Sequence, residues 1–256
     1  MKPVALHAVE SGSGDAVVLV HAIGCDHRMW DSLARALSSR FRVIRVDVRG
    51  HGKSPVPPGP YSLDELADDV AALLEVRGIA RAHWVGLSMG GMIGQAFALA
   101  HPGRLHRLVL ANTSSSYGDE GPKLWDARIK AVNEGGMAAI VDVAMARYFS
   151  DSFRELHPQI VAQYRARVLS TPAAGYVACC AALRELDFTR DLAKIHARTL
   201  VIAGERDTGT PVAMSEEIMR HIPGAQIAVI PGAAHLSAVD SAPDFNALVL
   251  AFLTEP

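Results

Sequence analysis

The chain has 256 residues, half of them hydrophobic and 20% charged, a composition that fits one folded domain, or one with an insertion, and excludes a largely disordered chain. Lysine and arginine number 25 against 27 aspartates and glutamates, so the formal net charge of −2 offers no basic excess to draw nucleic acid or an anionic membrane. Three cysteines, two of them adjacent at Cys179 and Cys180 and the third distant at Cys25, match neither a disulfide framework nor a zinc spacing. Reduced thiols and a cytoplasmic location are therefore expected. Met1-Lys2-Pro3-Val4 does not open an apolar signal core, and no apolar stretch reaches the roughly 18–20 residues that span a bilayer.

The elements alternate. A turn-rich Ser11-Gly12-Ser13-Gly14-Asp15 precedes the apolar run 16–20, which reads as a strand buried on both faces. A helix is expected near 30–37, then a strand over 41–46 that ends at Asp47. Ser62 and Glu65 have capping-box spacing. Leu63, Leu66, Val70, Leu73 and Leu74 then share one helical face, and Gly78 is placed to end that helix. A strand over 82–85, a helix over 89–100 and a strand over 107–111 follow. This order implies right-handed βαβ units and a mostly parallel sheet.

After Asn112 the pattern changes. From 115 to 187 the periodicity is helical, clearest over 137–149 and 158–169, with no convincing strand. Alternation returns with a strand at 199–203, a helix near 212–222, a strand at 226–230 and a last helix ending near Leu253. The expectation is an α/β core built from 1–114 and 188–256, with 115–187 inserted as a helical cap over the carboxyl edge of the sheet.

Three expected strand ends carry reactive side chains. Gly86-Leu87-Ser88-Met89-Gly90 matches G-x-S-x-G between a strand and a helix, the context that motif requires. Its glycines are a steric need, because a sharp turn at the serine leaves no room for neighbouring side chains. A serine hydroxyl needs a base to become a nucleophile. Of 11 histidines, His235 follows the strand at 226–230 and so emerges at the same edge as Ser88. Asp207 follows the strand at 199–203 and would orient the histidine; Glu205 is the rival acid, better suited to a loop ion pair. The chain order Ser88, Asp207, His235 is that of the α/β-hydrolase fold. An oxyanion hole would take the N–H of Met89 and that of Ile23, in the loop His21-Ala22-Ile23-Gly24. His21 and His51 are expected to brace loops rather than act as bases. No phosphate-binding loop and no H-E-x-x-H is present, so neither metal nor organic cofactor is expected.

These motifs resemble the α/β-hydrolase superfamily over nearly the whole chain. Arg49-Gly50-His51-Gly52-Lys53-Ser54, Pro58-Gly59-Pro60-Tyr61-Ser62, Gly86-Leu87-Ser88-Met89-Gly90-Gly91, Cys25-Asp26-His27-Arg28-Met29-Trp30-Asp31 and Leu105-His106-Arg107-Leu108-Val109 narrow it to the 3-oxoadipate enol-lactonases. So do Trp125-Asp126-Ala127-Arg128-Ile129, Gly136-Met137-Ala138-Ala139 and Gly175-Tyr176-Val177-Ala178-Cys179-Cys180-Ala181-Ala182 in the helical segment. The segment His21-Ala22-Ile23-Gly24 departs from that family and looks more like a general esterase. The resemblance implies hydrolysis of a small carboxylated enol-lactone through an acyl-serine, with Trp125 as an apolar wall and Arg128 pairing with the substrate carboxylate. A broad carboxylesterase, a perhydrolase or haloperoxidase-like enzyme, and a ligand-binding receptor with slow turnover are the alternatives.

Overall fold

The computed structural model describes residues 2–255. The chain runs through β1 (Ala8–Ser11), β2 (Asp15–Val20), α1 (Asp31–Leu37), β3 (Phe41–Val46), α2 (Leu63–Val76), β4 (Ala82–Leu87), α3 (Met89–Ala100) and β5 (Leu105–Ala111). Five helices follow: α4 (Gly121–Gly135), α5 (Val141–Tyr148), α6 (Asp151–Leu156), α7 (Pro158–Ser170) and α8 (Ala173–Arg184). It closes with β6 (Arg198–Gly204), α9 (Val212–His221), β7 (Gln226–Ile230), α10 (Ser237–Asp240) and α11 (Ala242–Thr254).

The strands form one sheet in the order β1-β3-β2-β4-β5-β6-β7. β1 is antiparallel to β3, and every other pairing is parallel. β1 is the strand that sequence reading missed. It is half-buried at the sheet edge, and four residues without a strong apolar run leave little periodic signal. β2 and β4 are apolar runs buried on both faces, as parallel strands between helical layers must be. The capping box of α2 is formed in both directions: Glu65 N donates to Ser62 Oγ at 3.2 Å and Ser62 N to Glu65 Oε2 at 3.0 Å.

The connection from β2 leads to β3 on one side, while β4 lies on its other side. The order therefore reverses between β2 and β4, and the loops that leave their carboxyl ends part there. A crevice opens at such a switch point in open α/β sheets. One of those loops carries Ile23 and the other carries Ser88.

The segment after β5 is helical throughout, as its periodicity implied, but it divides differently. The single helix expected over 137–149 is a turn of 3₁₀ helix (Met137–Ala139) followed by α5. Gly136, at φ 64°, ends α4 in the left-handed region, and the chain must restart from there. The chain leaves and rejoins the core at an antiparallel bridge between Ser116 and Asp187, reinforced by Phe188 N donating to Ser115 O at 2.8 Å. Main-chain contacts also hold the segment to the core. Tyr61 N donates to Ala178 O at 3.3 Å and Leu236 N to Tyr148 O at 2.9 Å. Gly50 and Gly175 meet so closely that a Cβ on Gly50 would lie 2.8 Å from Gly175 Cα.

Candidate active site

Ser88 occupies the turn between β4 and α3 at φ 55°, ψ −117°, a strained conformation for a residue with a Cβ. Its surroundings enforce that turn. A Cβ on Gly86 would lie 2.1 Å from Gly90 O, and one on Gly90 would lie 2.0 Å from Val20 O. Ser88 N donates to Ala111 O at 2.9 Å, and Ser88 O accepts from Thr113 Oγ1 at 2.8 Å and from Gly91 N at 2.9 Å. The hydroxyl is thereby aimed from the end of the strand rather than into the helix.

Three strand ends converge on one hydrogen-bonded relay. Ser88 Oγ lies 2.9 Å from His235 Nε2, and His235 Nδ1 lies 2.8 Å from Asp207 Oδ2. All three residues are at most 4% exposed. Asp207 is held by four further donations. Oδ1 accepts from Gly209 N at 2.8 Å and Thr210 N at 3.0 Å, and Oδ2 accepts from Thr210 Oγ1 at 2.7 Å and Asn112 Nδ2 at 3.0 Å. Burial pushes this carboxyl up, yet the charge of His235 and the hydrogen bonds from His235, Asn112 and Thr210 outweigh it, holding Asp207 well below the usual carboxylate range. Burial likewise pushes His235 down; Asp207 opposes that through charge and hydrogen bond, while Arg147 and Arg128 add to it, and the imidazole ends below its ordinary 6.5. A neutral imidazole with Nδ1–H tied to a carboxylate leaves Nε2 free to accept the Ser88 proton.

Glu205, the rival acid, is exposed and accepts from Gly232 N at 2.8 Å, bracing the turn before His235. Asn112, Thr210 and Ser237 are the members that sequence reading missed. Asn112 sits at φ 43° at the end of β5; its amide also donates to Ala234 O at 3.2 Å, and its Oδ1 accepts from Ser237 Oγ at 2.5 Å. One buried amide thus ties the acid loop to the histidine loop. Its only sequence signal was its place at a strand's carboxyl end.

The two expected oxyanion donors lie on the loops that part at the switch point. Among the described residues, neither the Ile23 nor the Met89 N–H has a hydrogen-bond acceptor. Met89 opens α3, where helix geometry leaves N–H groups unpaired and a positive end of the helix dipole. The Ile23 loop is fixed from both sides: Tyr148 Oη of α5 donates to Ile23 O, and Gly24 N donates to His51 Nε2 at 3.0 Å. His21 Nε2 accepts from Val48 N at 3.0 Å, so its proton is on Nδ1, 2.8 Å from Ala22 O. Both of these histidines are spent on backbone. Burial pushes His51 down to about 3 and lowers His21 as well, so both stay neutral and neither replaces His235 as a base.

Trp125 and Arg128 share one face of α4. Trp125 is buried, meets Tyr117 edge to face at 5.5 Å, and has an Nε1–H with no partner among the described residues. The Arg128 guanidinium lies 5.1 Å from the centre of the Trp125 ring. Arg128 is half-buried and lies against that buried ring rather than extending as a fully solvated side chain. Cys25, Cys179 and Cys180 are buried, and burial pushes each thiol up, to about 12 for Cys25 and Cys180, so none is a ready thiolate. His7, His27 and Asp47 are close enough to suggest a metal site. Yet four N–H groups already occupy the Asp47 oxygens: His7 Nδ1, His27 Nδ1, His27 N and Lys53 N, all within 2.9 Å. The cluster works as a brace for the loops after β2 and β3.

Fold, switch point and strained serine turn define a class, and comparison gives the same one: residues 15–242 match the family described as alpha/beta hydrolase fold, and the chain belongs to it. It is a hydrolase of that family. Among its relatives, 3-oxoadipate enol-lactonase 2 of Acinetobacter baylyi is 36% identical over 252 residues, covering 98% of this chain and 93% of the relative. Among solved structures, the enol-lactonase from Burkholderia xenovorans LB400 superimposes with a TM-score of 0.94 at 35% identity, covering 98% of this chain and 96% of its own. A thermophilic esterase from Thermogutta terrifontis, determined with malate bound, gives 0.92 at 31% identity, with 97% and 92% covered. No single helix among the described residues is long and apolar enough to cross a membrane.

Proposed function

We propose that this chain is a serine hydrolase that opens a small carboxylated enol-lactone through an acyl-enzyme. The observation that carries this reading is the unbroken relay from Ser88 Oγ through His235 to Asp207, at 2.9 and 2.8 Å. His235 Nε2 takes the proton as Ser88 Oγ attacks the lactone carbonyl, and Asp207 stabilises the imidazolium that forms. The Met89 and Ile23 N–H groups receive the developing oxyanion; loss of one such donor costs about 100- to 1000-fold in rate. Collapse breaks the acyl–oxygen bond, and His235 returns its proton to the leaving enol oxygen, which stays tethered to the acyl-serine. Water, deprotonated by His235, then releases the acid and restores Ser88. No step calls on a metal or an organic cofactor.

The substrate class rests on the relatives and on Arg128. Enol-lactonases span almost the whole chain, and the esterase neighbour was solved with a dicarboxylate. Arg128, half-buried over Trp125 and without a carboxylate partner among the described residues, is suited to a substrate carboxylate, with Trp125 as the wall beneath it. Residues 115–187, joined to the core at the Ser116–Asp187 bridge, serve as the cap that carries both. The second reading, a broad carboxylesterase, is favoured by the esterase neighbour and by the segment His21-Ala22-Ile23-Gly24.

Steady-state hydrolysis of freshly generated 3-oxoadipate enol-lactone, beside a neutral short-chain aryl ester, tests this with wild type and Ser88→Ala. Fast lactone turnover that Ser88→Ala abolishes is the expected result. Fast ester turnover with negligible lactone turnover refutes the substrate, and undiminished turnover by Ser88→Ala refutes the mechanism.

A further inference from the structure

One residue of the helical segment reaches both the base and the oxyanion loop. Tyr148 ends α5 and is buried. Its Oη donates to Ile23 O, in the loop that carries one of the expected oxyanion donors. Its ring stacks on His235, with centroids 6.1 Å apart and planes 20° apart. Its carbonyl accepts from Leu236 N, next in the chain after the base, at 2.9 Å. Burial pushes the phenol far up, so the hydroxyl keeps its proton to donate. Tyr176 of α8 and Val168 of α7 close over the same loop. A Cβ on Gly24 would lie 3.1 Å from Tyr148 Oη and 3.5 Å from an atom of each of the other two.

The loop needs such a hold because of its own backbone chemistry. Ala22 to Cys25 is a β-turn, closed by Cys25 N donating to Ala22 O at 3.1 Å, with Gly24 in third place at φ 73°. This is the type II form. It differs from type I by a flip of the central peptide, here the one joining Ile23 to Gly24. Glycine accepts either sign of φ, so the local sequence leaves that flip open. Tertiary packing closes it. The oxygen of the peptide is taken by Tyr148 Oη, and its N–H donates to His51 Nε2 at 3.0 Å. His51 lies in the loop after β3 and Tyr148 in the helical segment, so the turn is fully set only when the two parts are packed together. Ile23, whose N–H is the expected donor, heads that peptide, and an oxyanion donor acts by being held in place before charge develops.

We propose that Tyr148 is a positioning residue for acyl transfer: its hydroxyl locks the Ile23–Gly24 peptide, and with it the oxyanion donor, while its ring packs on the base. The helical segment is then part of the reaction apparatus and more than a cover. Movement of that segment to admit substrate takes one of two holds from the turn and the packing from His235; its return restores both together. Acyl transfer is thereby tied to closure. This deepens the proposed function, since it rests on attack by Ser88 and on an oxyanion held by Ile23 and Met89. It applies to lactone and ester alike.

The test compares wild type with Tyr148→Phe, which keeps the ring and removes the hydroxyl. The substrates are 4-nitrophenyl acetate and 3-oxoadipate enol-lactone. An alkyl trifluoromethyl ketone, which adds to Ser88 as a tetrahedral oxyanion, reports on the oxyanion hole directly. Tyr148→Phe should lower kcat and weaken ketone binding by about 10- to 100-fold each, less than the roughly 100- to 1000-fold for a donor removed outright. KM should stay within about threefold of wild type, and the acid limb of kcat/KM should not move, because the ring stays on His235. Counting reactive sites with a fluorophosphonate taken to completion corrects for any misfolded fraction. Gly24→Ala, which sets a Cβ against φ 73°, should give the same pattern with Tyr148 intact. The double variant should be no worse than the poorer single one, since both act on one peptide. Either single variant binding the ketone as wild type does, or losing activity through KM or folded fraction alone, would overturn the proposal and leave Tyr148 a packing residue with the serine mechanism standing. Wild type that turns over neither substrate, or that stays active after Ser88→Ala, would sink the mechanism and the positioning role with it.

Discussion

Asp207→Asn replaces one carboxylate oxygen by an amide NH₂ in a pocket where five donors converge. If the NH₂ takes the Oδ1 position it faces the N–H groups of Gly209 and Thr210, at 2.8 and 3.0 Å, and neither backbone group can turn away. Each such unmet contact costs about 1–3 kcal/mol. If it takes the Oδ2 position, the Thr210 hydroxyl can rotate to accept, His235 can accept by moving its proton from Nδ1 to Nε2, and only the Asn112 amide, which keeps Ala234 O, loses an acceptor. The second placement is the cheaper, and it disarms the site. An Nε2–H aimed at Ser88 Oγ, 2.9 Å away, cannot take the serine proton. The expected result is a fall in kcat of about 10³- to 10⁴-fold, or roughly 4–5.5 kcal/mol at 1.36 kcal/mol per tenfold, with a loss of folding stability of only about 1–3 kcal/mol. Ester hydrolysis at saturating substrate gives the first quantity and urea unfolding the second. An Asp207→Asn enzyme within tenfold of wild type would refute the argument that Asp207 sets the tautomer of His235.

Three further outcomes are expected. Asn112→Ala strands Ala234 O and the Ser237 hydroxyl and puts alanine at φ 43°, so it should lower stability by about 2–4 kcal/mol; a urea midpoint unchanged from wild type would contradict the tie between the acid and histidine loops. The acid limb of kcat/KM on a neutral ester should have its midpoint below pH 6.5, since His235 is depressed; a limb at or above 6.5 would show that Asp207 outweighs burial and the two arginines. Stability should fall over the same range. His21, His51, His83 and His235 all have folded-state values below 6.5, so the unfolded chain takes up their protons first as pH drops. Their contribution is complete above about pH 6.5 and is lost below it, at up to about 1.4 kcal/mol per pH unit for each histidine. Asp240, raised to about 6 by burial, has the opposite sign and offsets part of the loss. Unfolding midpoints that rise from pH 7 to pH 5 would refute the sign.

Much of this architecture was legible along the chain, for physical reasons that act locally. A strand buried on both faces must be apolar throughout, so β2, β4 and β6 announce themselves in short runs. A strained turn must be flanked by glycines, so Gly86 and Gly90 mark Ser88 before any coordinates exist. In a parallel sheet every strand ends at the same edge, so strand ends alone bring Ser88, Asp207 and His235 to one side. β1 escaped notice because an edge strand need bury only part of each side chain. What tertiary structure decided was every relation that depends on packing between distant segments. Asn112 became a tie between two loops only when β5, β6 and β7 were laid side by side. His51 and His21 were assigned to backbone once Gly24 and Val48 were seen to donate to them. Arg147 carried no motif at all. Its place beside Gly209 and Tyr148 comes from folding the helical segment back onto the sheet edge, a long-range arrangement that periodicity, a property of neighbours in sequence, does not encode.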